Sequence, residues 1–374
     1  MKIVDRGTVV RGKKGSPASS CAFPGVASLP SGRWLCGYRA APTKPAVEGQ
    51  RAMLTWSDDQ GRRWREPFEP LRPPVLDGKR GVFRSVYPTP LGGDEVLVTL
   101  LWVDASDPSL PFFNEKNDGL LESRLFHSVS TDGGESWSEP ALMDVNPIQM
   151  WTPPTGPALL LPDGTWAAQF ELNKHFDDGT PWRHSSILMF SRDRGRTWPL
   201  LSVAGNDPSN RMFYWDQRPG VLADGSILDA FWTYDNKAAV YRNIHARRSA
   251  DGGRTWSALW DTGVPGQPAQ PVTLADGRIG LVYVDRTAAP LIKMRASADG
   301  GASFPAETEL VLYGGEGTQT ERKGAMRDAW AEMGRFSIGL PATAPLAGGD
   351  VLVVYYAGPE TDVTDVEWVR ISTG

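Results

Sequence analysis

Few side chains in this 374-residue chain are placed where they would do chemistry, and the acidic ones stand out. Glu171 closes an otherwise apolar stretch, Trp166-Ala167-Ala168-Gln169-Phe170, where a charge is costly unless it is paired or solvated. Asp216 is followed two residues later by Arg218, so it reads either as a working carboxyl or as half of a local ion pair. Tyr234-Asp235 and Asp285-Arg286 each end an apolar run, as solvated strand ends or as substrate contacts. His175 lies in the polar stretch 174–183, either as an acid/base group or simply exposed. Carboxyls and imidazoles are the usual groups of general acid–base catalysis. The four histidines (His127, His175, His184, His245) show no metal-ligand spacing, and Cys21 and Cys36 form no Cys-x-x-Cys, so no bound metal is expected. There is no glycine-rich dinucleotide or phosphate loop, and no cofactor is expected.

What positions these residues is a repeat. Ser57 to Trp64 (SDDQGRRW) recurs as STDGGESW from Ser130, SRDRGRTW from Ser191, SADGGRTW from Ser249 and SADGGASF from Ser297, at spacings of 73, 61, 58 and 48 residues. The shared frame is Ser-x-Asp-x-Gly-x-Thr/Ser-aromatic, with Arg63 the one departure at the hydroxyl position. It reads as a tight turn in which Asp bonds backbone donors, Gly supplies positive φ and the aromatic wedges between neighbouring sheets. Upstream of each turn, and once more near the C-terminus, an apolar strand, a glycine turn and a second apolar strand form a hairpin, around Gly32, Gly93, Gly164, Gly225, Gly277 and Gly349. The 40 glycines and 31 prolines that punctuate these units argue against a helical bundle. A four-strand unit repeated in this way predicts an all-β fold, a six-bladed β-propeller of four-stranded antiparallel blades. The last unit reaches only its third strand at 366–371, so the strand at 3–10 is expected to complete it and close the ring. The whole chain, 1–374, then reads as one domain.

Five such turns at this spacing resemble the Asp-box repeats of the sialidase superfamily, over nearly the whole chain. There the boxes are structural and face away from the active site, so the resemblance implies a fold more than a chemistry. Sialidases share a Tyr/Phe-Arg-Ile-Pro signature whose arginine belongs to a triad gripping the substrate carboxylate. Here the matching stretch is Cys21-Ala22-Phe23-Pro24, with alanine at the arginine position. A second triad position falls at Trp232, and the nucleophilic tyrosine falls near Gly339 or Leu340, so sialidase activity is not expected. One position carries over: the glutamate that pairs with the nucleophile aligns with Asp216, nine residues before Gly225. Side chains compared by offset from the turn glycine share a face. Nine before the turn, Gly93 gives Arg84; seven after it, Gly32 gives Arg39, Gly164 gives Glu171, Gly225 gives Trp232 and Gly349 gives Tyr356.

Two carboxylates on adjacent blades, framed by arginines and aromatics, suit glycoside cleavage: one protonates the leaving oxygen while the other attacks the anomeric carbon or activates water. Asp216 and Glu171 are the expected pair, with Arg39, Arg84, Arg218, Trp232, Tyr234, Asp235, Asp285, Arg286, Tyr356 and His175 as substrate contacts. The fold also resembles exo-acting arabinanases, which share the propeller without the arginine triad. Of the 15 tryptophans, four close the repeated turns, while Trp102, Trp151, Trp182, Trp215 and Trp232 are left to stack on sugar rings. The expected function is an exo-acting glycoside hydrolase on a non-sialic-acid glycan; a non-catalytic glycan-binding propeller and a polysaccharide lyase are the alternatives. A net charge of -5 disfavours nucleic acid as a partner, no apolar run is long enough for a membrane span, and a cytoplasmic location is the default expectation. Residues 320–334 (TERKGAMRDAWAEMG) have helical apolar spacing, and the long loop 105–122 carries Phe112 and Phe113 side by side; both are expected to rim the functional face.

Overall fold

Each Ser-x-Asp-x-Gly turn is locked by its own side chains. In all five, the Ser Oγ accepts the N–H of the turn glycine at 2.7–2.8 Å. The Asp carboxylate then accepts the N–H four residues on, from Arg63, Ser136, Thr197, Thr255 and Ser303, at 2.8–3.0 Å. Where four turns add a hydroxyl to the second carboxylate oxygen, Arg63 substitutes its Nε at 3.0 Å. The hydroxyl of Thr197 and its backbone N–H hold the Asp193 carboxyl at about 2, well below the usual range.

In the computed structural model, residues 1–314 and 335–373 are described. The helix expected at 320–334 lies outside them. Among the described residues the chain is all-β apart from one short 3-10 turn, Ala306–Thr308. Its strands form a propeller-like arrangement. Besides the two-stranded ribbon Phe113–Asn114 and Gly119–Leu120, four sheets are separate, built on Gly81–Gly92, Glu95–Asp104, Ser123–Ser130 and Ala141–Leu142; on Leu159–Leu160, Trp166–Glu171, Ser185–Ser191 and Leu200–Asn206; on Met212–Val221, Ile227–Asp235, His245–Ser249 and Trp260–Asp261; and on Gln267–Pro268, Ile279–Asp285, Leu291–Ser297 and Leu310–Gly314. A seven-stranded sheet runs Ile338–Pro345, Val351–Glu360, Val363–Ser372, Ser20–Ser28, Trp34–Ala41 and Arg51–Ser57. Its two halves meet through the single parallel pair Ser20 and Thr364. The N-terminal strand Lys2–Val10 pairs antiparallel with Val363–Ser372, as the missing fourth strand was expected to do.

The second strand of each hairpin explains the core. Trp34–Ala41, Ile227–Asp235 and Ile279–Asp285 are buried at every position. They are covered on both faces by neighbouring sheets, so their sequences run apolar instead of alternating. One cluster, for example, joins Val282 and Met294 to Val353 and Val369. The repeated turns clamp these sheets together, and their aromatics pack as expected: Trp198 and Phe304 are buried in inter-sheet clusters.

At Gly61 the turn approaches the C-terminal strand so closely that a Cβ would lie 2.6 Å from the Trp368 ring, with φ at +85°. Gly164 has nearly the same φ, +81°, and open space around it. Gly164→Ala should therefore cost only about 1–2 kcal/mol of left-handed strain, while Gly61→Ala should cost about 1–3 kcal/mol more for overpacking. Urea midpoints at unchanged slope measure the difference; equal losses would contradict the clamping role.

Candidate active site

Four inner strands carry one extra residue at the same place. The antiparallel ladder slips between Ala22 and Gly25, Phe83 and Ser85, Trp215 and Arg218, and Gly339 and Ala342. Phe23, Arg84, Asp216 and Leu340 lie in these bulges, each nine residues before its hairpin glycine. Phe23, Asp216 and Leu340 take φ of +54°, +48° and +44°, a left-handed backbone that costs about 1–3 kcal/mol at residues other than glycine. A bulge re-aims a side chain, and all four line one cavity of about 470 Å³. Thr155, nine before Gly164, lines it too, as do Glu171, Trp232 and Tyr356, seven after their glycines.

The two carboxylates meet on its wall. The backbone N–H of Asp216 donates to Glu171 Oε1, and Gln267 Nε2 donates to Asp216 Oδ2. Arg218 Nη2 stands 3.6 Å from Asp216 Oδ1 and donates through Nη1 to the Thr155 carbonyl. Burial raises the Asp216 carboxyl above its ordinary value; Arg218 opposes this and the neighbouring Glu171 adds to it. About a quarter of the Asp216 side chain still faces the cavity.

Cations outnumber them. Among the described residues Lys44, Arg84, Arg218, Arg286 and Arg335 line the cavity, against Glu115, Glu171 and Asp216 as acids. Lys44 Nζ donates to the Phe336 carbonyl and, at 3.0 Å, to the Tyr356 hydroxyl. Arg84 donates to Gln50 Oε1 at 3.0 Å and lies 4.2 Å over the Phe112 ring. Arg286 bonds Gln267 Oε1 at 2.9 Å and the Ile338 carbonyl at 2.7 Å. Burial holds Lys44 and Arg84 well below their ordinary values, and the mutual repulsion of Lys44, Arg39, Arg84 and Arg286 adds to it. Burial also pushes the Tyr356 hydroxyl up to about 12, against the pull of Arg286 and Arg39. Among the described residues, no three His, Cys, Asp or Glu side chains gather as metal ligands.

This constellation sits on a known scaffold. Residues 93–343 match the BNR repeat-like domain. The chain belongs to that family. It is 24% identical over 297 residues to a sialidase of Micromonospora viridifaciens, a match covering 79% of this chain and 37% of that protein. The chain thus spans little more than a third of that relative's length. A crystal structure of a protein of unknown function from Dyadobacter fermentans superposes with a TM-score of 0.75 at 20% identity, covering 99% of this chain and 98% of the other. An α-L-arabinanase of Penicillium chrysogenum, complexed with arabinobiose, gives 0.63 at 15% identity, covering 100% and 99%. Membership of the sialidase superfamily, read from the repeated turns, is thereby shown.

Within this BNR repeat-like chain several expected contacts lie elsewhere. Arg39 is fully buried and does not line the cavity; it bonds the Lys44 carbonyl at 2.8 Å and lies under the bulged Phe23. Tyr234 stacks on Trp215 at 5.0 Å, behind the wall. Asp235 is taken by Arg211 and Arg242, at 2.9 and 2.7 Å, and Asp285 by Lys293 at 3.1 Å. His175 stacks on Trp151 at 4.1 Å in a separate surface pocket. Trp102 is a core residue, its Nε1 bonded to the Pro74 carbonyl. Trp182 is buried behind Trp215, leaving Trp215 and Trp232 on the cavity. The loop 105–122 does reach the rim, through Phe112 and Phe113. Missed were Phe23, Thr155, Gln267 and Lys44. The nine-residue offset, applied to every hairpin, finds the first two and passes one residue from Gln267; Lys44 sits in an irregular loop with no sequence signal.

Because a buried like-charged cluster costs stability when no anion fills it, Lys44→Met should stabilise the ligand-free protein by about 1–2 kcal/mol at pH 7. A folded-state value below the unfolded one means that stability rises with pH up to the usual lysine range in the parent. That rise should be weaker in Lys44→Met. Denaturant midpoints against pH decide, and a destabilised Lys44→Met with the same pH slope would contradict the electrostatic picture.

Proposed function

We propose that the protein is a glycoside hydrolase acting at the end of a glycan that carries an acidic group, with Asp216 and Glu171 as its carboxyl pair. The observation that carries this is the Asp216 N–H bonded to the Glu171 carboxylate, which sets two acids side by side on a cavity wall. An Asp carboxyl lies roughly 3–4 Å from its own nitrogen, so the pair is closer to the ~5 Å spacing of retaining enzymes than to the wider inverting one. Asp216, raised by burial and by Glu171, keeps its proton at a pH where an ordinary carboxyl has lost it. It gives that proton to the leaving oxygen, and Glu171 attacks the anomeric carbon. The faces of Trp215, Trp232 and Phe23 offer apolar contact to a sugar ring, and Lys44, Arg84 and Arg286 an anionic substituent. We further infer that the seven-stranded sheet is two blades and that six blades close a ring. Supporting this, Ser20–Ser28 packs against both Gly81–Gly92 and Ile338–Pro345.

A lyase reading rests on Tyr356, which lies against Lys44 and Arg286 as a base would. Its hydroxyl, pushed up to about 12, is a poor base near neutrality, which favours hydrolysis.

A panel of aryl uronides and their neutral counterparts tests the proposal. Release of the phenol should be faster from uronides and should fall about 10²–10⁴-fold in Asp216→Asn and in Glu171→Gln, with melting temperatures close to the parent's. An unsaturated product absorbing in the ultraviolet would instead identify a lyase. Since Arg218 lowers the Asp216 value, Arg218→Met should move the alkaline limb of the rate profile to higher pH. A limb that stays put or falls would remove Asp216 as the acid.

A further inference from the structure

His184 has no place in the chemistry above, yet it stands directly behind it. The residue precedes the strand Ser185–Ser191, and its side chain is fully buried. Its ring packs edge-on to Trp182 at 5.4 Å and tilted on Phe213 at 5.7 Å. Neither ring nitrogen has a hydrogen-bond partner, whereas buried polar groups are nearly always satisfied. Nε2 points instead at Glu171 Oε1 from 3.6 Å, just beyond hydrogen-bond range. That oxygen is the one that accepts the Asp216 N–H.

The ionisable surroundings are few. Among the described residues Glu171 is the one carboxylate within ion-pair distance of the His184 ring. From the strand Met212–Val221, Asp216 faces Glu171 on its cavity side, with Arg218 3.6 Å away from Asp216. The contacts from Trp182 and Phe213 are aromatic and uncharged. A histidine kept only for packing would be expected to satisfy at least one nitrogen on a nearby carbonyl. Here Nε2 stands 3.6 Å from Glu171 Oε1 instead.

We propose that His184 is a positioning residue for Glu171: its Nε2–H closes onto Oε1 and fixes the carboxylate's orientation. This rests on reading Glu171 as the ionised member of the pair, but the contact itself can be tested without turnover. The proton stays on Nε2 throughout, so no bond is made or broken at the imidazole. The arrangement follows the general pattern in which a nucleophile or base is oriented by a third group behind it.

Ring nitrogen shifts of histidine in ¹⁵N-labelled protein, followed with pH in the parent and in Glu171→Gln, provide the direct test. Nε2 should carry the proton in the parent, and the His184 ring shifts should change when Glu171→Gln replaces the carboxylate acceptor. His184→Phe keeps an aromatic ring in the packing and removes the donor. It should fold with a melting temperature within a few degrees of the parent and lower kcat about tenfold at little changed KM. A His184 ring that behaves identically in the parent and in Glu171→Gln overturns the proposal, as does a His184→Phe rate profile that superposes on the parent's. If Glu171→Gln itself keeps full turnover, the catalytic reading of Glu171 fails, while the nitrogen shifts still decide whether the two side chains are coupled.

Discussion

In a regular strand, side chains alternate between the two faces, and in this molecule both faces of the inner strands are covered by neighbouring sheets. One inserted residue breaks that alternation near the inner strand's start. It must turn out of the sheet, and the cavity is the free space available to it. At Asp216 the consequence is double, because the left-handed backbone aims the side chain into the cavity and the N–H onto Glu171. The strain is tolerated because the strand beyond it is held on both sides: Gln217 bonds the carbonyls of Phe170 and Ile187, and Arg218 bonds that of Thr155.

Charge is arranged on this frame against the usual economy of a protein interior. Half-buried Arg84 stands with buried Lys44, Arg39 and Arg286, and the bonds of Lys44 and Arg84 run to carbonyl, amide and hydroxyl oxygens. Elsewhere Asp235 is matched by two arginines and Glu309 by Lys293 and Arg295. Those ion pairs lie outside the cavity, whereas Lys44, Arg84 and Arg286 line the space a ligand would fill.

The architecture was legible because the Ser-x-Asp-x-Gly turns are local: each closes with hydrogen bonds inside eight residues, so sequence alone fixes where each hairpin stands. The turn glycine then served as a ruler, and the ruler found Arg84, Asp216, Glu171, Trp232 and Tyr356 because it counts along one strand from a fixed point. It failed where the deciding partner came from another segment. Nothing near Asp235 in the sequence shows that Arg211 and Arg242 converge on it. Nor does Arg39 reveal that Phe23 bulges over it and shuts it from the cavity. Lys44 and His184 were invisible for a further reason: both sit in loops, where no periodicity constrains direction.

If Asp216 and Glu171 act as proposed, two adjacent carboxyls cleave a glycosidic bond by double displacement. Proton NMR of the first-formed sugar during hydrolysis of a substrate of known anomeric configuration tests it most directly. With the Asp216 N–H bonded to Glu171, the two carboxyls are read as neighbours, and the product should keep its configuration. An inverted product would contradict the claim, since it needs a water between two more widely separated carboxyls.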